Sequence, residues 1–293
     1  MAVGDSALIG SLSYIGIGRE TALGIFNTLL SGLDFISSSL KTQKDSRILE
    51  QVERLRSMSK RVHLSKVVGG ELSWYFRPDN TADCFLLHNA FGGAAVTTAT
   101  ATGETLGAGA NSALEHIVTM GNFNLTYSSI CINARKGAVT TGRIWQYHGM
   151  RVDELTVSAA IDEPAMFSVN LMGVNSTQVT SDIEGQLTAT ANPILSFVDG
   201  RLSIEAAFAS LTSTSFWHIQ SATFKVRNNL KGGAEARRIG SDVPVVLPPG
   251  VQSYELACQI RFDTTTAYDA MIDATEYVAE LEFIVSTYAR SII

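Results

Sequence analysis

The stretch KVVGGELSWYFRPDNTADCFLLHNAFGG, Lys66–Gly93, changes its periodicity halfway along, and that change sets the fold. Leu72, Trp74 and Phe76 alternate with Glu71, Ser73 and Tyr75, the period of two that gives a strand one core face and one solvent face. At Pro78-Asp79-Asn80-Thr81 the alternation stops. Asp79 or Asn80 can cap a helix, Asp83 falls in its first turn, and Phe85, Leu86 and His88/Asn89 lead to a stop at Gly92-Gly93. Strand, tight turn and helix follow one another without a linker.

The same plan recurs at a fixed offset of 184 residues, where the segment 37–90 repeats without a gap as 221–274. Identities fall at Ser37/Ser221, Lys41/Lys225, Arg54/Arg238, Ser57/Ser241, Val62/Val246, Val67/Val251, Glu71/Glu255, Leu72/Leu256, Arg77/Arg261, Asp79/Asp263, Thr81/Thr265 and Ala90/Ala274. Chance at average composition gives roughly three over such a length. In the second copy Leu256, Cys258 and Ile260 alternate, Asp263–Thr266 offers the caps, and Ala267–Thr275 is the expected helix. A period this long excludes a solenoid, whose units run to about 20–50 residues. It points to a duplicated, domain-sized element.

Between the two copies lies a string of expected short strands: Leu114–Met120, Phe123–Ile132, Gly142–Tyr147, Met150–Ile161, Met166–Gly173, Glu184–Thr190, Leu202–Ala207 and Phe216–Val226. Thr98–Ala113 reads as a Gly/Thr/Ala-rich loop and Ser176–Asp182 as a polar link. The expected fold is all-β with short helices, divided into an N-terminal arm (1–32), a first β-sandwich unit (33–175) and a second unit (183–293). The Gly/Ser/Leu-rich arm has no clean period and needs something to lie against.

The 293 residues, 45% of them hydrophobic, suffice for a large core and about two domains. The net charge of −6 does not suggest nucleic-acid affinity, but it is unevenly spread. Lys41, Lys44, Arg47, Arg54, Arg56, Lys60, Arg61 and Lys66 crowd one segment against Asp45, Glu50 and Glu53. Such a cluster is either a solvated loop or a docking surface for an acidic partner or a neighbouring subunit. The three cysteines, Cys84, Cys131 and Cys258, are too scattered for a disulfide framework or a zinc site and read as reduced core or interface residues. No basic leader and no apolar run of about 18 residues is found, so the expectation is a soluble protein made in a cytoplasm.

Catalytic patterns are missing. His63, His88, His116, His148 and His218 are isolated, and no HExxH, CxxC or GxSxG motif occurs. Gly16-Ile17-Gly18 lacks the later glycine and the helix of a phosphate loop. No catalytic, cofactor or metal residue is therefore named, and no enzymatic activity is expected. Glu71 and its repeat Glu255 lie on the polar face of their strands, where each faces solvent, a neighbouring subunit or a pore.

Ser13–Thr21 (SYIGIGRET) followed by Ala22-Leu23-Gly24, the strand Ile36–Lys41, Val67–Phe76 (VVGGELSWYF) and Leu86–Gly93 (LLHNAFGG) resemble tail tube proteins of long-tailed bacteriophages. Met150–Val157 (MRVDELTV) and Met166–Gly173 (MFSVNLMG) are similar to the strand pair that follows in that family. The resemblance implies a β-sandwich flanked by a helix, here internally duplicated. Such subunits form rings that stack into a tube, through which DNA leaves the capsid. By position, it makes Gln43–Lys66 an inter-ring loop with Lys44, Arg47, Arg54, Arg56, Lys60 and Arg61 as contacts, and 1–32 a segment that orders on assembly. It implies self-association, as three chains with pseudo-sixfold symmetry or as six, and tail partners such as terminator, tape measure and distal tail proteins. Double-stranded DNA would pass without sticking, no membrane would be entered, and the place would be the virion tail, assembled in the host cytoplasm. The expected lumen is net negative, a wall that repels DNA. The alternative is an extracellular β-sandwich adhesin or binding module.

Overall fold

The computed structural model describes residues 13–26, 30–48, 61–77, 80–98, 115–120, 129–136, 143–180, 187, 194–205, 217–261, 278–286 and 289–292. In chain order its elements begin with β1 (Tyr14–Arg19), β2 (Ser31–Leu33), β3 (Ser37–Ser38), β4 (Lys41–Ile48), β5 (Arg61–Tyr75), the helix α1 (Thr81–Phe91) and β6 (Gly92–Thr98). They continue with β7 (Glu115–Met120), β8 (Ile130–Lys136), β9 (Arg143–Ala160), β10 (Met166–Gly173), β11 (Asn175–Val179) and β12 (Gly200–Glu205). The last are β13 (Ile219–Arg227), β14 (Ser253–Ile260), β15 (Val278–Ser286) and β16 (Ala289–Ile292). Every pairing among them is antiparallel.

The strand β9 joins two sheets. Its first half lies between β8 and β11, in the order β2-β1-β8-β9-β11, and its second half lies between β10 and β13, in the order β4-β5-β10-β9-β13-β14. Strands that change sheet do so at bends or bulges. Here the bend is Gly149, at φ +62, where an added Cβ would lie 2.7 Å from Val174 Cγ2. Its N–H donates to Glu20 Oε1 at 2.7 Å, and Glu20 Oε2 accepts from Gly24 N and Ser129 Oγ. Burial outweighs these hydrogen bonds and pushes the Glu20 carboxyl above its ordinary range. Just beyond, Asp153 is left out of the β9/β10 register, so a bulge follows the bend.

Between the sheets lies one apolar cluster that includes Ile17, Ile132 and Tyr147 from the first and Leu72, Trp74, Leu155 and Phe167 from the second. Phe76 stacks on Phe167 at 4.5 Å. Each such side chain contributes about 1.5–3 kcal/mol by leaving water. Tyr147 Oη crosses the core to the Leu40 carbonyl, and its burial raises the phenol to about 12. The helix α1 packs on β9 and β1. Of the two expected caps it uses Asn80, whose Oδ1 accepts from Ala82 N, and it ends at Gly92 in the left-handed region.

Leu202, Leu281 and Phe283, from the third sheet β12-β15-β16, belong to the same cluster. That sheet repeats the order β1-β8-β9, and β12 begins 184 residues after Gly16. The repeat is plainest in the large sheet. The hairpins β4-β5 and β13-β14 run in the same direction, four strand positions apart, with β10 and β9 between them. Their registers differ: Ser37 faces Ser73 and Lys41 faces Gly69, whereas Ser221 faces Gln259 and Lys225 faces Glu255. The offset is two residues, so each side chain keeps its face.

Four sequence readings change. Tyr14–Arg19, placed in the arm, is a buried strand paired along its length with β8. The two strands expected over Gly142–Tyr147 and Met150–Ile161 are the single β9. Asn175–Val179, at the expected polar link, is a strand paired with β9. The basic loop is in its described part a hairpin extension. The helix expected at Ala267–Thr275, and the strand expected over Glu184–Thr190 apart from Leu187, lie outside the described residues.

Candidate assembly surfaces

The six-stranded sheet turns one face to the core and the other to solvent. Register fixes the solvent face row by row. One row runs Ser37, Ser73, Ser168, Thr156, Lys225, Glu255, and the next runs Glu71, Asn170, Glu154, Arg227, Ser253. Glu71 and Glu255, paired by the repeat, thus stand on one exposed face but in adjacent rows, because of the two-residue offset. Arg227 Nε donates to Glu154 Oε2 at 2.7 Å, and its Nη1 reaches Glu255 Oε2 at 3.5 Å. The hydrogen bond and charge of Glu154 raise the already high guanidinium pKa, with Glu255 adding to it. Glu154, Arg227 and Lys225 were not singled out in the sequence. Only Lys225, the repeat of Lys41, carried a signal there.

Among the described residues both edges of this sheet are unpaired. The edge strand β14 presents Tyr254, Leu256, Cys258 and Ile260 on its core side, none of them buried, and Glu255, Ala257 and Gln259 on the other. Partial desolvation at the edge raises the Cys258 thiol and the Tyr254 phenol above their ordinary values. At the far edge β3 and β4 pair with β5 alone. A free edge offers a row of N–H and C=O groups to another strand. Neighbouring strands alternate in direction and there are six, so a β4 from another copy laid along β14 would run antiparallel to it.

Beyond the sandwich, β4 and β5 continue as a hairpin arm from Lys44/Lys66 to Ile48/Arg61. Lys44, Arg47, Ile48, Val62, His63 and Leu64 are exposed on it. Arg61 pairs with Ile48, while Arg54, Arg56 and Lys60 lie outside the described residues. The arm's root is fixed. Lys66 Nζ donates to the Ser176 carbonyl at 2.6 Å and to Asn175 Oδ1, Lys66 N donates to the Asp242 carbonyl at 2.8 Å, and Arg237 Nη2 donates to the Lys66 carbonyl. Burial, with Lys44 adding to it, lowers the Lys66 pKa. Asp242 and Arg237 come from the β13–β14 connection, the counterpart of the arm in the second copy.

The opposite end of the sheet is built from the β9–β10 turn and Ile194–Asp199. Phe197 N donates to the Glu163 carbonyl and Ala165 N to the Leu195 carbonyl. Ile161 and Phe197 line an open cleft of about 270 Å³ with Trp217, His218 and Phe283. Among the described residues no His, Cys, Asp and Glu are grouped to hold a metal ion, and no helix is long and apolar enough to cross a membrane. Cys84, Cys131 and Cys258 are not joined in disulfides.

A family model described as phage tail tube protein matches residues 10–292. No curated protein matches the chain.

Proposed function

The chain belongs to the phage tail tube protein family, and from that premise we propose that it is the subunit of a tail tube whose rings close through the β14 and β4 edges. The family is one of structural tail proteins, not of enzymes, and its place is the virion tail. The observation that carries the reading is the pair of free edges on one sheet of alternating direction. Each chain offers two hairpins of the same sense, so three chains supply six and make a ring of pseudo-sixfold symmetry. Such a ring assembles in the host cytoplasm and meets the other tail proteins at the tube's ends.

In this reading the solvent face of the sheet lines the lumen. On that face Glu71, Glu154 and Glu255 are matched by Lys225 and Arg227 in the same two rows and by Lys41, which faces Gly69 in the row beyond. In this reading the wall is balanced, where the sequence alone leads to a net negative one. DNA is held by counterion release when a surface brings an excess of cations. A wall of serine, threonine and compensated ion pairs brings none, so the duplex slides. The arm bridges successive rings, with Lys44, Arg47 and Arg61 on its described part and Arg54, Arg56 and Lys60 between its strands.

Electron microscopy of the purified protein tests the reading. Rings with a central hole and threefold symmetry are expected. Six equivalent chains would refute the stoichiometry, and a monodisperse monomer at high concentration would refute the function. Reversal of Arg54, Arg56 and Lys60 to Glu is expected to leave folded rings that stack poorly.

A further inference from the structure

We propose that the arm of one copy docks on the opposite end of the sheet of a second copy, where Ile161, Ile194, Phe197 and Val198 form an exposed apolar patch beside Asp162 and Glu163. The inference rests on the ring-and-tube reading and names the receiving surface that the reading leaves open. Three observations carry it.

The first is unburied apolar area at both places. On the arm Val62 is 40% exposed and Leu64 52%, both on the face of Arg47, and Ile48, 53% exposed, is on the other face one pair further out. At the other end Val198 is 74% exposed and Ile161 51%. Clustered exposure of large side chains marks a contact surface. The second is charge. The arm carries Lys44 and Arg47 against one acid, Asp45, all exposed, whereas the turn beside the patch carries Asp162 and Glu163, both exposed, with no cation between them. Arg201, at the far side of the cleft, stands opposite Glu282 on β15 and leaves the turn acidic. Complementary charge sets register and speeds encounter.

The third is geometry. Arm and patch lie at opposite ends of β5, which begins in the arm at Arg61 and ends beside Leu195, whose N–H donates to the Phe76 carbonyl. At about 3.3 Å per residue that strand is roughly 50 Å long. The patch of one chain is therefore out of reach of its own arm, and the occupant is a second copy. A contact between different surfaces of identical chains closes into a ring where successive copies are related by a closing rotation, and propagates where they are related by translation along an axis. Edges close the ring across the strands, and ends extend the tube along them.

The root of the arm keeps this geometry. Lys66, held by Ser176, Asn175, Asp242 and Arg237, fixes the direction in which the hairpin leaves the sandwich. A preset direction spares the ordering cost of a floppy arm on docking.

The experiment compares tube growth of the full chain with three variants: Val198→Asp, the arm reversal Lys44→Glu/Arg47→Glu, and the turn reversal Asp162→Lys/Glu163→Lys. Each is expected to give intact rings by electron microscopy while raising the concentration needed for tubes at least about tenfold. Combining both reversals is expected to bring tubes back. Full tube growth by Val198→Asp, or no recovery in the combined variant, overturns the inference and leaves the ring reading in place. Failure of the unaltered chain to form rings overturns both. Substituting Leu64→Cys with Val198→Cys adds a direct measurement. A bismaleimide should link chains into a ladder that neither single substitution gives, and no ladder overturns the contact.

Discussion

Asn228 Nδ2 donates to the Val152 carbonyl at 2.8 Å, at the bulge where β9 leaves one sheet for the other. The same amide nitrogen donates to the Ala90 carbonyl at the end of α1, and its Oδ1 accepts from Gln252 Nε2. Asn89 Oδ1 accepts from Val152 N, and Asp153 Oδ1 from Leu230 N. Helix, bulge and the β13–β14 connection are therefore held together by the side chains of Asn89, Asp153 and Asn228.

Asn228→Ala strands two buried carbonyls and leaves a small cavity. The expected loss is about 2–4 kcal/mol. Urea denaturation of the purified chain measures it, and a loss under about 1 kcal/mol would show that water satisfies the carbonyls.

Gly149→Ala tests the bend. A Cβ there meets Val174 Cγ2 at 2.7 Å, and the residue's φ of +62 disfavours any side chain. Strain of about 1–3 kcal/mol is expected. The far-ultraviolet circular dichroism should be unchanged while the unfolding midpoint falls, and an unchanged midpoint would remove Gly149 as the hinge of β9.

Glu20 gives a pH dependence of known sign. Its folded pKa lies above the ordinary 4.5, so its contribution is fully present below that value. As pH rises, the unfolded chain ionises first, and stability falls until the folded pKa is passed. Glu20→Gln removes this titration. The stability of the natural chain minus that of the variant should therefore decrease upward from about pH 4.5 and then level off. A difference that grows with pH would refute the sign.

What the sequence disclosed and what it hid divide by distance along the chain. The cap of α1 at Asn80 and the bounds of β10 follow from neighbours, and both were legible. The continuity of β9 was not, because the turn of Gly149 is held by Glu20, 129 residues away. The ion pairs of Arg227 need three strands brought side by side, from residues 73 and 28 positions apart. The basic segment was visible as charge but not as a hairpin. Lys41–Arg47 holds no apolar residue to mark a period of two, since both faces of the arm meet solvent. Glu71 and Glu255 both stand on the solvent face of the sheet, yet their relative position depends on a register offset that no count of matching letters contains.

The free edge of β14 makes the sharpest prediction about assembly. In an antiparallel strand successive residues direct their N–H groups to opposite sides. Of the adjacent pair Ala257 and Cys258, one therefore bonds β13 and the other points outward. Proline lacks the N–H and is tolerated in sheets only where that group is not needed. Ala257→Pro and Cys258→Pro should part company: one lowers the unfolding midpoint, while the other leaves the fold intact and abolishes rings by closing the edge to β4 of the next copy. Circular dichroism sorts the two, and sedimentation reads the assembly of whichever variant folds. A folded proline variant that still sediments as a ring would show that the subunits join elsewhere than at β14.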